Sequence, residues 1–369
     1  MNLQVTPFHF RAADANAGNQ WMTRGGFTLA AAYSGTEEEA LAARFGVIIG
    51  DVSWRWRVMA EGARTGEFLS HLTTRDAAAL APGVAHRALW LSDGGAVRGA
   101  GLIARYGRQS FLLSADAPDR KWVADAARLF DVSLRDVTQA EGGLAIVGPH
   151  AWALLHEAGL ETDIAPLAFR KLFWGGLDIT LARWGEGYEL WCEGDDALIV
   201  WDRLTRAGGG FALKHAGLAA LDVLDVEAGI LRAGRDYEPA SDGHAAAPTP
   251  GALGLDHLVD KEHLLFNGRA AWLKSSDSHT VMGVELDSSA IAPHAVLYAG
   301  TRAVGRILTC VTSPALRRAI GFASLERSHA APGTQLRVTP PPSRAEANPS
   351  PVAASVVALP FLPPPDVTA

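Results

Sequence analysis

The sequence predicts an α+β fold of two related halves, followed by a small β-domain. Strand-like and helix-like segments alternate from residue 36 to about 140, and a similar alternation returns after residue 143. Such alternation is typical of sheets that carry helices on one face. Near residue 275 the pattern changes to short strands, which indicates a separate β-domain. We therefore expect an α+β region over residues 1–275 (halves of about 1–140 and 141–275), a β-domain over 276–340 and a proline-rich tail over 341–369.

Each element of the first half has its own signal. TEEEALAARFGVII (36–49) starts with acidic residues and ends in an apolar run, which predicts a helix followed by a buried strand. The alternation of DVSWRWRVM (51–59) predicts a strand. GEFLSHLTTRDAAAL, from Gly66, predicts an amphipathic helix with Leu69 and Leu72 on its apolar face. Then follow a predicted hairpin over 88–107, the strand QSFLLSADA and the helix APDRKWVADAARLF.

The second half repeats this order. Residues 143–159 predict a strand and a helix, and residues 176–194 predict a hairpin with turn residues near Gly185 to Gly187. DDALIVWDRLTRAG and GLAALDVLDVEAGI predict helices. Residues 237–254 form a long predicted loop, which is either functional or a plain connector.

The C-terminal region combines strands with a proline-rich end. GTRAVGRILTCVTS (300–313) and AIGFASLE (319–326) predict strands of the β-domain. After Gly333 the chain contains TPPPSRAEANPSP and PFLPPPDVTA. Such proline-rich sequence favours extended backbone without regular hydrogen bonds. We therefore expect an extended or loosely packed tail here rather than a core element.

Composition and charge exclude several classes of protein. The 369 residues carry a net charge of −7, which argues against a general nucleic-acid binder. Cys192 and Cys310 form no CxxC pair, so we predict no metal site, while a disulfide between them stays open. The N-terminus lacks a signal-peptide pattern, and no run of about 18 apolar residues occurs. We expect a cytoplasmic protein with a small-molecule substrate and no membrane partner, either a monomer or a homodimer.

General chemical motifs do not identify a function. The sequence contains no P-loop, no HExxH, no EF-hand spacing and no GxSxG, and the glycine-rich stretch 94–101 does not fit GxGxxG. The 12 histidines are scattered without metal-like spacing. These observations alone leave an α+β protein of unspecified chemistry.

Six segments follow one another in an order and spacing that is specific. They are FGVIIGDVS (45–53), FLSHLTTRD (68–76), GEGYELW (185–191), DVEAGILRAGRDY (225–237), FNGRAAW (266–272) and GTRAVGRILTCVTSPALRRAIGFASL (300–325). In this order they resemble the aminomethyltransferase family, the T-proteins of the glycine cleavage system. The match covers about residues 25 to 330 and is closest to the tetrahydrofolate-dependent demethylase branch. The resemblance implies ferredoxin-like halves around a central hole, with a C-terminal β-barrel.

The resemblance implies a folate site around the GYE segment. In the family, the glutamate of this segment holds the amino-pyrimidine edge of the pterin, and here that residue is Glu189. A carboxylate suits this role because it accepts two parallel N–H bonds. Tyr188 and Trp191 are then expected beside the ring. A purely structural pairing of Glu189 with an arginine such as Arg183 stays open.

The chain departs from the family at the catalytic acid. Arg98 and Gly99 stand where the family has an acidic pair, and no carboxylate lies between Asp93 and Asp116. Proton transfer needs a positioned group, which Gly99 does not supply. Candidates for a replacement base are Asp51, His71 and Tyr33, and the sequence does not rank them.

Substrate-contacting residues are also predicted from these departures. Trp54 and Trp56 follow the DVS segment where the family commonly has HM, and they form either an aromatic wall for a flat substrate or part of the core. Arg98 is expected to pair with a carboxylate or phenolate of the substrate. Leu221 replaces an arginine that contacts the folate tail in T-proteins.

Three functions follow as hypotheses. The first is a tetrahydrofolate-dependent demethylase or methyltransferase acting on a small methoxylated aromatic substrate. The second is a lyase that uses no folate and releases formaldehyde from a hydroxymethyl-bearing, lignin-derived aromatic compound. The third is a non-catalytic folate-binding assembly factor, which is disfavoured because HLLFNGR lacks the cysteine of that subgroup's KGCYxGQ motif.

Overall fold

The computed structural model describes residues 3–184, 187–242, 247–288, 291–340 and 350–363. The chain begins with a small sheet in which β3 lies between β1 and β2. A helix and a fully buried strand follow, as the acidic start and apolar run of residues 36–49 predict. These elements are β1 (Gln4–Val5), α1 (His9–Ala15), β2 (Trp21–Arg24), β3 (Phe27–Ala30), α2 (Thr36–Phe45) and β4 (Val47–Asp51).

The next segment folds into an antiparallel sheet, which we call the first sheet. Its strand order is β6-β7-β8-β5-β9, and two helices cover its outer face. Leu69 and Leu72 are buried in this core, which confirms the predicted apolar face of the helix. The elements are β5 (Trp56–Glu61), α3 (Thr65–Leu72), β6 (Ala85–Leu91), β7 (Val97–Arg105), β8 (Ser110–Ala115), α4 (Arg120–Arg128) and β9 (Ser133–Asp136).

The second half forms the central sheet, with the order β11-β12-β13-β10-β4-β14. Its outer face packs on α5 and α6 through residues such as Leu154 and Trp201. The elements are β10 (Glu141–Val147), α5 (Ala151–Glu157), β11 (Phe169–Trp174), β12 (Leu177–Ala182), β13 (Tyr188–Glu193), α6 (Ala197–Ala207), β14 (Leu213–Ala216) and α7 (Leu218–Glu227).

Strand β4 corrects two predictions. It pairs with β10 and β14, so the boundary near residue 140 does not separate the sheets. The predicted strand over 51–59 is also interrupted, because β4 ends at Asp51 and β5 begins at Trp56 in the other sheet. A turn separates them, in which the amide and hydroxyl of Ser53 both donate to the Asp51 carboxylate. An apolar strand buried on both faces needs a central position, which this sheet provides.

A closed β-barrel follows, with the order β15-β18-β17-β16-β19-β20. The barrel includes Val352–Val357, whose Ala354 and Val356 are fully buried. The prediction that no core element follows Gly333 is therefore wrong for this segment. Its small and β-branched residues suit a strand, although the prolines on both sides indicate extended, unpaired chain. The elements are α8 (Pro250–Leu253), α9 (Arg269–Trp272), β15 (His279–Leu286), β16 (Val296–Ala299), β17 (Arg302–Ser313), β18 (Arg318–Glu326), β19 (Gln335–Val338) and β20 (Val352–Val357).

The inner faces of the two sheets lie toward each other. Ile48 and Ala145 of the central sheet share a hydrophobic cluster with Leu102 and Ala104 of the first sheet. This arrangement of two sheets with outer helices and a barrel confirms the predicted α+β fold. No helix in the described part of the chain is long and apolar enough to cross a lipid bilayer. Residues 185–186, 243–246, 341–349 and 364–369, which include the predicted hairpin turn and parts of the loop and tail, lie outside the described residues.

Candidate functional site

A cavity of about 710 Å³ lies where the two sheets, α7 and the barrel meet. This volume is within the usual range for a small-molecule site. Val52, Trp54, Leu102 and Leu221 contribute apolar surface to its wall. The same wall carries charged side chains of both signs, namely Arg24, Arg55, Arg87, Asp116, Glu189, Asp225 and Arg232.

Glu189 is held in a fixed orientation at this wall. The residue lies on β13 and is only 7% exposed. Trp191, two residues further along the strand, donates its indole N–H to Glu189 Oε2 over 3.0 Å. The other oxygen, Oε1, accepts a hydrogen bond from Nη1 of Arg55. The predicted alternative, a pairing of Glu189 with a nearby arginine, is therefore observed, but the partner is Arg55 rather than Arg183.

The charge of Glu189 is stabilised despite its burial. Burial favours the neutral acid and by itself would raise the pKa of Glu189. The positive charge of Arg55 and the Trp191 hydrogen bond more than offset this, so the pKa of Glu189 lies below its ordinary value. The cavity therefore contains an ionised, immobilised carboxylate.

A continuous row of alternating charges runs from Glu189 around the cavity. Asp116 follows β8 and lies 3.6 Å from Arg55 and 2.9 Å from Arg232. Arg232 also binds Asp225 over 2.7 Å. The row continues through Arg235 and Asp222 to Arg24, with N···O distances of 3.4, 2.7 and 2.7 Å.

These ion pairs keep their charges inside the protein. Burial opposes the charge of Arg232, but Asp116 and Asp225 raise its pKa well above the ordinary value. Burial would raise the pKa of Asp225, yet Arg232 and Arg235 bring it below the ordinary value. Among the described residues, no group of three or more His, Cys, Asp or Glu side chains is arranged to hold a metal ion.

The space that a side chain at Gly99 would need is filled by a tryptophan. A Cβ atom on Gly99 would lie 2.3 Å from the indole of Trp90, which is fully buried on the neighbouring strand β6. Real Cβ atoms do not approach other heavy atoms this closely, so any side chain at this position requires Trp90 to move. The indole therefore excludes the carboxylate that the resemblance leads one to look for at Gly99.

The two residues predicted to flank the pterin do not act as a pair. Side chains alternate along a strand, so Tyr188 points away from Glu189 and Trp191. Tyr188 borders the cavity, but its ring packs in the outer core and its hydroxyl donates to the carbonyl of Thr162. Trp191 lies in the inner core with the Arg57 guanidinium 3.6 Å from its ring centre, and it orients Glu189 instead of lining the cavity.

The predicted substrate residues separate in the structure. Trp54 lines the cavity, and Arg24 lies 5.3 Å above its ring. Trp56 is instead buried in the core of the first sheet, where its N–H donates to Asp136. Arg98 binds Asp119 and Asp242 and does not reach the cavity wall. The prediction that these three residues share a site is therefore wrong. A turn rather than a strand separates the two tryptophans, and Asp119 and Asp242 hold Arg98 away from the cavity.

The candidate bases also lie outside the cavity wall. Asp51 accepts hydrogen bonds from Thr6 and Ser53, and burial raises its pKa. Tyr33 packs against Trp201 and His215, and burial raises the pKa of its hydroxyl far above the ordinary value.

His71 is exposed and lines a separate shallow groove with Leu264 and Phe266. The structure thus brings none of Asp51, Tyr33 and His71 to the cavity.

Sequence reasoning missed the charged residues that do line the cavity. Arg55 lies between the two tryptophans of DVSWRWR, and Asp225 and Arg232 lie within DVEAGILRAGRDY. The second segment carries the family resemblance, and Arg55 lies two residues beyond the resemblance segment 45–53. The charges in and next to these segments are the available signal. Asp116 is the first carboxylate after the stretch 94–115, which has none. The pairing of β7 with β8 places it near Gly101, in the middle of that stretch.

Comparison with known proteins agrees with this geometry. The family model for the GCVT N-terminal domain matches residues 10–261, and the glycine cleavage T-protein C-terminal barrel domain matches residues 280–362. An aminomethyltransferase of Chlorobium limicola is 30% identical, over 87% of this chain and 91% of the relative. An aminomethyltransferase of Geobacillus kaustophilus is 29% identical, over 94% of this chain and 96% of the relative.

A solved structure shows the same fold. The glycine cleavage system aminomethyltransferase T from Bartonella henselae superposes with a TM-score of 0.87 at 23% identity, covering 99% of this chain and 100% of the other. Fold and sequence together define the class of folate-binding one-carbon enzymes. Within that class, the chain belongs to the aminomethyltransferase, or glycine cleavage T-protein, family.

Proposed function

We propose that this protein is a tetrahydrofolate-dependent demethylase or methyltransferase acting on a small methoxylated aromatic substrate. The observation that carries the proposal is the buried, ionised carboxylate of Glu189 at the cavity wall. The family membership supports a one-carbon transfer, and the rebuilt surroundings of Gly99 support a donor different from that of the T-proteins.

The residues present fit the pterin of tetrahydrofolate. Its amino-pyrimidine edge offers parallel N–H donors, which a carboxylate accepts. Glu189 already binds a group of this kind, because the Arg55 guanidinium donates to its Oε1. The Trp191 hydrogen bond engages only Oε2 and leaves that oxygen with further acceptor capacity. Bound tetrahydrofolate supplies an amine nitrogen that takes up the one-carbon unit.

Asp116 is the carboxylate best placed to replace the missing acid. Ala115, which precedes it, pairs with Gly101, two residues from Gly99. Asp116 therefore reaches the cavity from the strand next to the one that carries the acid in the family. Arg232 holds it at 2.9 Å. A fixed carboxylate at this position can accept a proton or orient a proton donor during transfer.

The cavity wall supports a flat apolar substrate. Trp54, Val52 and Leu102 offer aromatic and aliphatic surface, and Leu221 contributes a side chain where T-proteins carry an arginine. Aromatic rings bind such surfaces through apolar burial and offset stacking. A methoxylated ring is a donor of this shape, and its phenolic product leaves with a charge that the arginines of the cavity attract.

Binding of tetrahydrofolate tests the proposal directly. Titration into the protein, followed by tryptophan fluorescence and melting temperature, is expected to show saturable binding. Glu189→Gln replaces the charged acceptor with a neutral amide and should weaken binding about 10-fold or more, since hydrogen bonds to a charged group contribute about 1.5–3 kcal/mol. Glu193→Gln, on the exposed end of the same strand, is the matched control and should bind like the wild type. The absence of any shift at millimolar tetrahydrofolate would overturn the proposal.

A second candidate is a formaldehyde-releasing lyase that needs no folate. The exclusion of the family acid by Trp90 favours it, because the usual folate chemistry loses a proton-transfer group there. The discriminating assay incubates the protein with a hydroxymethyl-bearing aromatic compound without folate and measures formaldehyde. Release at the same rate in the Glu189→Gln variant would support the lyase over the transferase.

A further inference from the structure

We propose that the Arg55 guanidinium takes the place of the pterin's amino-pyrimidine edge at Glu189 when no folate is bound. Once tetrahydrofolate displaces it, Arg55 binds the anionic group of the one-carbon donor. This inference rests on the proposed function and names a substrate class for the same cavity, namely carboxylates or phenolates. Arg55 would then couple the binding of the two substrates.

The chemistry of the Arg55–Glu189 pair supports the first step. The amino-pyrimidine edge of a pterin is a cyclic guanidine, and the Arg55 guanidinium presents the same kind of N–H donors. Nη1 of Arg55 donates to Oε1 of Glu189, which is one of the oxygens that the pterin edge needs. Both side chains line the cavity. Tetrahydrofolate can therefore use this oxygen fully only if the Arg55 hydrogen bond is given up.

The remaining neighbours do not neutralise a displaced Arg55. Its second acidic contact is Asp116 at 3.6 Å, which is too long for a hydrogen bond. Asp116 is already bound to Arg232 at 2.9 Å. Nε of Arg55 is buried and makes no hydrogen bond to any described residue. Without Glu189, the guanidinium therefore has donors to spare inside a partly enclosed cavity.

An anion on the second substrate would supply the missing partner. A buried cation without a partner is costly, whereas a carboxylate matches a guanidinium with two parallel hydrogen bonds. The other cavity arginines are already engaged. Arg24 binds Asp222 with two hydrogen bonds, Arg232 binds both Asp116 and Asp225, and Arg87 donates to the backbone carbonyl of Trp184. A single monoanionic group is therefore the expected ligand.

This arrangement couples the two binding events. An anion that binds Arg55 favours the state in which Glu189 is free for the pterin, so it should raise the affinity for tetrahydrofolate. Tetrahydrofolate should raise the affinity for the anion by the same factor, since such coupling is reciprocal. A neutral analogue of the anion makes no such distinction between the two states and should have no effect.

The experiment measures the dissociation constant of tetrahydrofolate by fluorescence titration, alone and with saturating 4-hydroxybenzoate, which has no methyl group to transfer, or its neutral carboxamide. For the wild type, the carboxylate should tighten folate binding about 5-fold or more, and the carboxamide should not. Arg55→Met should bind folate about 5-fold tighter without the carboxylate and lose the effect of adding it. Arg64→Met, which removes an exposed arginine on the first sheet's outer side, should match the wild type.

A second variant covers the case in which Arg55→Met does not fold. Arg55→Lys keeps a cation beside Glu189 but lacks the planar guanidinium, so it should still bind folate tighter than the wild type. Folate binding to the wild type with no gain in either variant would overturn the inference and leave the proposed function standing. An equal effect of carboxylate and carboxamide would also overturn it. If neither the wild type nor the variants bind folate, the proposed function itself is wrong, and the inference with it.

Discussion

At Gly99, the lack of a side chain allows the Trp90 indole to pack directly against the backbone of the neighbouring strand, in the core of the first sheet. The ideal Cβ position on Gly99 is 2.3 Å from two ring carbons of Trp90 and 2.5 Å from its ring nitrogen, and Trp90 is completely buried. The glycine and the tryptophan are therefore a matched pair. Restoring the family's acid by a single substitution at residue 99 should fail for steric reasons alone.

This pair predicts a non-additive loss of stability. Gly99→Ala should lower the free energy of unfolding by about 1–3 kcal/mol, the usual range for overpacking a core. The same substitution made together with Trp90→Phe should cost less than it does alone, because the smaller ring vacates part of the space. Urea unfolding of the two single variants and the double variant measures the coupling. Strict additivity would show that the close approach is relieved elsewhere.

The sequence alone predicts some residues of the candidate site and misses others. The departure at Gly99 and the importance of Glu189 are visible in the sequence because both lie in segments with a family pattern. Arg55, Asp116 and Arg232 are separated by more than 50 residues from one another, and only the fold brings them together. Ion pairs between distant segments leave no periodic signal in a single sequence.

At the scale of elements, helix α6 and strand β14 are joined by a half-buried histidine. His215 of β14 stacks on Trp201 of α6 with ring centres 4.5 Å apart and lies near the hydroxyl of Thr205. Burial lowers the pKa of His215 from 6.5 to about 4. The folded protein therefore keeps this imidazole neutral at pH values where the unfolded chain would protonate it.

The free energy of unfolding should consequently depend on pH between about 6.5 and about 4. The unfolded chain binds more protons in this range, so stability is complete above the range and decreases as the pH falls. His215→Phe should remove up to roughly 3 kcal/mol of this decrease, at about 1.4 kcal/mol per pKa unit. Burial also lowers the pKa of His86 to about 4, so His86 should maintain part of the pH dependence of the unfolding free energy in the His215→Phe variant.

Urea unfolding at several pH values tests this prediction, with the exposed His71→Gln as control. An unchanged slope in His215→Phe would contradict the assignment of the effect to His215.

The sequence predicted most elements but not their neighbours in the sheets. Periodicity identifies α2, α6 and the strands of the barrel because each has one apolar face. It does not reveal that β4 leaves the first half to pair with β10 and β14, since a strand that is apolar on both faces has no preferred partner in its own sequence. Strand β20 was not predicted, because the proline-rich sequence around it indicates irregular chain.

At the scale of the whole molecule, Glu227 connects the α+β region to the barrel and the C-terminal segment. Its carboxylate, which is 1% exposed, accepts hydrogen bonds from Arg44 of α2 and Ser313 of β17, each over 2.6 Å. Its backbone carbonyl accepts from the amide of Leu362, and Arg44 donates to the carbonyl of Pro363. One buried acid thus holds together parts of the chain that are far apart in sequence.

Glu227→Gln should therefore weaken the association of the barrel with the rest of the molecule. The amide keeps the shape but removes the charge opposite Arg44, which is 14% exposed, and breaking a buried pair in this way costs about 3 kcal/mol or more. The control is Glu285→Gln, which breaks the more exposed pair with Arg318 within the barrel and should cost less than about 1 kcal/mol. Urea unfolding followed by tryptophan fluorescence should show a lower midpoint for Glu227→Gln, or two transitions if the barrel unfolds separately. The tryptophans of the described residues lie outside the barrel strands, so fluorescence does not report unfolding of the barrel. Far-UV circular dichroism on the same samples includes the barrel strands. Coincident unfolding curves with an unchanged midpoint from both probes would mean that Glu227 does not stabilise this connection.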